Sequence, residues 1–163
     1  EDSDKLMSQL RPEDLRSIGR ESRARGAAFT TKLGSGDRPA DGETAAALIQ
    51  ALNPDCLTVE LGEKTAAGKV IDPARLEDLR HAANQAAGRP FPLILHGLQG
   101  LEQESLQHAC AHGISGLNVS KDCWVKVREQ VAADNWDPFA AALKAVRETI
   151  GALMLLSGSA GRS

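Results

Sequence analysis

At 163 residues, with 42% hydrophobic and 25% charged residues and a net charge of −3, the chain is sized for one soluble globular domain. No apolar run approaches the roughly 20 residues that span a bilayer. The mild charge and the near absence of aromatics (three Phe, two Trp, no Tyr) leave no basis for a nucleic-acid or anionic-membrane surface.

The three cysteines, Cys56, Cys110 and Cys123, are widely spaced with no C-x-x-C pair, which predicts free thiols in an intracellular, reducing compartment such as the cytoplasm or an organelle matrix. Residues 1–9 are polar and read as an arm. Opening on Glu1 with no signal peptide, the chain reads as processed or as a piece of a longer one. Pro12, followed by Glu13 and Asp14, starts a helix that Gly26 ends. Arg16, Arg20 and Arg23 make a basic stripe on it; Glu13, Asp14 and Glu21 balance that stripe, so a salt-bridged outer face is the first reading and a docking surface the second. A strand over 27–33, a helix over 43–52 and a strand over 56–61 follow, then a loop over 62–71.

Asp72-Pro73 is an N-cap with proline at N1, and the helix it starts runs to about Ala87, burying Leu76, Leu79 and Ala83. A third strand over 92–95 ends in His96 and the glycine-rich turn Gly97-Leu98-Gln99-Gly100. A helix over 102–112 and a strand over 114–119 come next, with His108 and His112 read as a solvated helix face. Two helices close the chain, over 121–133 and 138–155. The second places Phe139, Leu143, Val146, Ile150 and Leu153 on one apolar stripe. Trp124 and Trp136 read as anchors packing helix to wall, or as interface residues.

Strand and helix alternate four times at roughly 30-residue spacing, the size of a βα repeat. The fold class is α/β: half of a (β/α)8 barrel, with four parallel strands and extra C-terminal helices. Residues 1–26 are an N-terminal arm and helix, and 27–163 the half-barrel, in a single domain overall. A complete barrel needs about 250 residues. Four strands with one apolar face therefore predict a partner chain, or the other barrel half, covering the open edges.

Residues 92–100 resemble the P-L-V-L-H-G-G-S-G of the class II, zinc-dependent fructose-bisphosphate aldolases. Residues 113–122, G-I-S-G-L-N-V-S-K-D, are similar to that family's G-I-x-K-V-N-V-x-T-D, and the ending from Asp137-Pro138 to the S-G-S-A-G of 157–161 is similar to its final D-P-R helix and F-G-S-A-G. Upstream, residues 27–34 fall where the family has V-S-V-E-A-E-L-G, and 59–69 where it has A-V-A-I-G-T-V-H-G-x-Y-K. The resemblance implies strands five to eight of such a barrel, with a site on the carboxyl-end rim.

In that family a zinc ion polarises a ketose carbonyl and stabilises the enediolate, which requires three protein ligands and an open position. By the resemblance, the zinc-binding glutamate falls on Lys32 and a ligand histidine on Thr65. His96 is the only retained ligand position, so no zinc or other cofactor is expected. Asn118 matches the asparagine at the enediolate, and with Lys32 and His96 it forms a vestigial catalytic set. Gly97, Gly100, Lys69 and Lys121 are the substrate-phosphate candidates, with Leu98 placed to obstruct the turn and a phosphorylated small molecule the weaker ligand class.

Three functions follow from these residues. The first is a non-catalytic aldolase-like structural or accessory subunit of a larger assembly. The second is half of a ketose-bisphosphate aldolase, a carbon–carbon lyase completed by another segment or chain, in which Lys32 stands in for zinc as a Schiff-base amine. The third is a sugar-phosphate-binding regulator using Lys69, Lys121 and Asn118.

Overall fold

The structure, a computed structural model, describes residues 12–35, 38–66, 68–119, 121–133 and 137–158, and the side chains of all of these except 12 and 121–123. In chain order the elements are α1 (Pro12–Ala24), β1 (Thr30–Leu33), α2 (Gly42–Leu52), β2 (Cys56–Val59), β3 (Gly62–Lys64), β4 (Lys69–Ile71), α3 (Pro73–Ala87), β5 (Leu93–Leu95), α4 (Gln103–Ala111), β6 (Ile114–Leu117), α5 (Lys121–Ala133) and α6 (Pro138–Leu156). Strands β1, β2, β5 and β6 pair in that order, all parallel, and form an open four-stranded sheet. The expected loop over 62–71 is instead an antiparallel hairpin, β3–β4, with Gly62 opposite Ile71. Its three-residue strands are too short to give a periodic signal.

Short caps fix the crossovers. Asp41 accepts from the Thr44 amide at 2.8 Å to start α2, and Asp72 accepts from the Ala74 amide at 3.0 Å to start α3. Two arginines of the basic stripe on α1 have a more specific task than the expected salt-bridged outer face. Arg16 and Arg23 donate to the carbonyls of Ala51 and Asn53, at the end of α2, where unpaired acceptors collect, and Arg23 also meets Asp55 at 3.5 Å.

The core lies between the sheet and its helices. Leu33, Leu57, Val59, Leu93, Leu95 and Ile114 project from the strands into a cluster with Ile49, Leu76, Leu79 and Leu106. Their alternates, Thr30, Lys32, Cys56, Thr58, Ile94 and Gly116, occupy the other face and are half-buried or exposed. Two contacts fix that parity: Thr30 Oγ1 lies 3.4 Å from Thr58 Oγ1, and a Cβ on Gly116 would stand 3.1 Å from Ile94 Cδ1. The uncovered face is therefore mixed, small and largely polar. The apolar face expected from the sequence is the one the helices already cover.

The last two helices pack on each other through Val127 and Ala145, with Ala141 and Thr149 also buried. The stripe expected to be buried on α6 is only partly so: Val146 and Leu153 are half-buried, but Phe139 is 78% and Leu143 51% exposed. The small side chains of α6 face α5, because they let the two helix axes approach. Trp124 is also exposed rather than packed, and Trp136 lies outside the described residues. Among the described residues no helix is long and apolar enough to cross a membrane.

Candidate functional site

Parallel pairing continues one residue beyond the strands. The amide of Glu60 donates to Leu33 O at 2.9 Å, that of His96 to Val59 O at 2.8 Å, and that of Asn118 to Leu95 O at 2.8 Å. With a side-chain period of two, Glu60, His96 and Asn118 extend the face that carries Thr58, Ile94 and Gly116. The carboxyl-end rim is thus a row of polar groups from three neighbouring strands, with Lys32 one step lower on the fourth.

Glu60 is the centre of that row. It is only 9% exposed, and its carboxylate lies between two ammonium groups: Lys69 Nζ at 3.3 Å from Oε1 and Lys32 Nζ at 3.5 Å from Oε2. Lys69, with a side chain 14% exposed, also donates to the Gly97 carbonyl at 2.9 Å; Lys32 is 49% exposed. The reach of Lys69 depends on Gly62, where a Cβ would meet the Lys69 side chain. Main-chain bonds from Lys69 N to Gly100 O and from Glu102 N to Lys69 O, each 2.9 Å, tie β4 to the turn as well. Burial pushes the Glu60 carboxyl up, but the Lys69 hydrogen bond and charge, and then Lys32, outweigh it and hold it below its ordinary value.

Gly97 turns the chain after His96 at φ 72°, a conformation that favours glycine, and a Cβ there would stand 2.8 Å from Glu60 Oε1 and 3.1 Å from Lys69 Nζ. The ion pair therefore packs directly on the turn. Two clefts flank it. One, of about 380 Å³, is lined by His96, Leu98, Asn118, Lys126, Thr149 and Leu153, and the other, of about 470 Å³, by Glu60, Thr65, Lys69, Gly97, Gln99 and Gly100. His96 Nδ1 is buried with no hydrogen-bond partner among the described residues.

Of the residues singled out from sequence, Lys32, Lys69, His96, Gly97, Gly100 and Asn118 do converge on this rim. Lys121 begins α5, and its side chain lies outside the described residues. Thr65 instead closes the β3–β4 turn: its Oγ1 donates to Gly68 O at 3.0 Å and accepts from the Gly68 amide at 3.1 Å. Leu98 is half-buried, packs against the core and lines the cleft beside His96. His108, on α4, and His112, its C-cap, stack at 3.9 Å, with His112 Nδ1 paired to the His108 carbonyl at 2.8 Å.

Glu60 is the residue the sequence reading missed, because 56–61 read as one strand and a lone acid in it carried no motif. The available signal was a charged residue interrupting the apolar C-L-T-V run just where a parallel strand ends. Among the described residues no three His, Cys, Asp or Glu side chains are grouped to hold a metal ion.

A family model described as fructose-bisphosphate aldolase class-II matches residues 19–162. The chain belongs to this aldolase family. Curated aldolase relatives include the 6-phospho-5-dehydro-2-deoxy-D-gluconate aldolases of Bacillus velezensis, 29% identical over 82 residues, and Bacillus subtilis, 28% identical over 82 residues. Each match covers 45% of this chain and 28% of the relative.

Among solved aldolase structures, the YdjI aldolase of Escherichia coli superposes with a TM-score of 0.69 at 21% identity, and the fructose-bisphosphate aldolase of Campylobacter jejuni with 0.64 at 14% identity. These alignments cover 93% and 91% of this chain, and 56% of each aldolase chain. The chain thus spans about half the length of the aldolases it superposes on, and its four parallel strands form part of the family's barrel.

Proposed function

We propose that this aldolase-family chain is a non-catalytic half-barrel that serves as a structural or accessory subunit, completed by a second βα half. The observation that carries the reading is the Lys32–Glu60–Lys69 network on the rim. A Lewis-acid zinc needs three ligands and an open position. The residues present do not fit that need. Lys32 puts an ammonium where the family has a carboxylate, and both oxygens of Glu60 already face ammonium groups. Only His96 remains as a ligand, and a single imidazole beside cations holds a divalent ion poorly.

The same network disfavours lysine chemistry. A Schiff base requires an amine free to reach a carbonyl carbon, and both lysine side chains are already engaged by the Glu60 carboxylate at 3.3–3.5 Å. The natural complement is a second half whose strands pair with the free edges of β1 and β6, since an open parallel edge exposes unpaired main-chain groups. A competing reading, half of a working carbon–carbon lyase, draws on the buried Nδ1 of His96, which has no hydrogen-bond partner among the described residues.

Metal analysis and a retro-aldol assay on phosphorylated ketoses decide between them, using the protein purified with whatever chain or segment completes it. The non-catalytic reading expects substoichiometric zinc and no turnover above the buffer rate. One tightly held zinc per chain together with turnover would sink it.

A further inference from the structure

We propose that Glu60 is a tethered anion that fills the cationic site formed by Lys32 and Lys69, so that the rim takes no free phosphate while the carboxylate is in place. The proposal deepens the non-catalytic reading and rests on it in one respect, that this rim holds no metal.

The geometry is that of an occupied anion site. Two ammonium groups from β1 and β4 approach separate oxygens of one carboxylate at 3.5 and 3.3 Å. The Glu60 side chain is 11% exposed, so its charge is screened little by solvent. Next to it opens the cleft of about 470 Å³ whose wall includes Glu60, Lys69, Gly97 and Gly100, wide enough for a phosphate monoester. A phosphate entering that cleft, whose wall also carries the exposed Lys64, meets at Lys69 an ammonium already engaged by a fixed negative charge, and like charges at that range repel. The turn is tied to the same pair. Gly97 O is held by Lys69 Nζ at 2.9 Å, and the position that would carry a Gly97 side chain is already filled by the ion pair.

The carboxylate comes from the chain itself, at the end of β2. It competes as an intramolecular ligand, at an effective concentration set by the chain that holds it beside the two lysines. Replacing Glu60 by glutamine keeps the shape and leaves an amide oxygen to accept from Lys69, while removing the charge. Lys69 on the cleft wall, and Lys32 beside the same position, are then left without that counter-ion.

Titration calorimetry with inorganic phosphate tests the proposal on the wild type, on Glu60→Gln, and on Glu60→Gln combined with Lys69→Met. The wild type is expected to show no saturable binding, Glu60→Gln to bind at least about tenfold more tightly, and the double variant to lose that gain. Wild-type binding as tight as that of Glu60→Gln overturns the proposal, and so does a folded Glu60→Gln that binds no phosphate. A second readout needs no variant. The wild-type melting midpoint is expected to be equal in phosphate and in chloride at matched ionic strength, and a phosphate-specific rise overturns the proposal. Failure here is distinct from failure of the non-catalytic reading, which only bound zinc and turnover would reverse.

Discussion

Glu60 and Asp41 both have carboxyls held below their ordinary values, 4.5 and 3.8. For Asp41 the largest cause is the Thr44 amide it caps, opposed in part by burial; for Glu60 burial raises the value, and the Lys69 and Lys32 ammonium groups more than reverse it. A depressed folded-state value means the unfolded chain binds the proton more readily. The stabilisation is then complete above the unfolded value and disappears as pH falls through the folded one. Melting midpoints measured from about pH 7 to about pH 3 are expected to stay level down to about pH 5 and then fall. Glu60→Gln is expected to remove part of that slope. An unchanged slope in this variant would show that the pair with Lys69 does not contribute to acid stability.

The C-terminal helix pair gives the clearest test at the scale of an element. On α6 the buried residues are Ala141, Ala145 and Thr149, whereas Phe139 and Leu143 are largely exposed. Phe139→Ser and Leu143→Ser are therefore expected to shift stability by no more than about 0.5 kcal/mol, as exposed positions do. Ala145→Leu, which adds volume against Val127, is expected to cost about 1–3 kcal/mol. Denaturant melts separate the outcomes: a large loss on Phe139→Ser with no loss on Ala145→Leu would mean that the helix is turned the other way. The same asymmetry leaves α6 with a row of large apolar side chains facing away from α5.

Among the described residues, the order β1-β2-β5-β6 puts β2 and β5 inside the sheet and leaves β1 and β6 with one free edge each. Amide hydrogen exchange is expected to be slowest at Leu57, Val59 and Leu95, which are fully buried in the inner strands. The outward amides of β1 and β6 are expected to exchange fast in the isolated chain and to become protected when a second half-barrel is bound. Equal protection of all four strands in the isolated chain would mean that the edges are already covered.

The largely polar uncovered face, with Thr30, Lys32 and Thr58, offers little apolar surface to the proposed second half, so the edges of β1 and β6 are the places where it would pair. That differs from a complete barrel, where layers of bulky apolar side chains fill the centre.

By itself the sequence determined the alternation of strands and helices, the caps at Asp72 and Gly26, and the family, because each rests on local patterns or on motifs a few residues long. His96, Gly97 and Asn118 were legible for the same reason. It did not determine that Glu60 joins Lys32 and Lys69: these lie on three strands, and only parallel register and the β3–β4 hairpin bring their charges to 3.3–3.5 Å. Nor did it determine which face of α6 is packed, since both faces are apolar and the choice depends on how closely α5 can approach. Local chemistry fixes the elements, but the charge state of the rim and the facing of the last helix are properties of distances between elements, and those exist only in the folded chain.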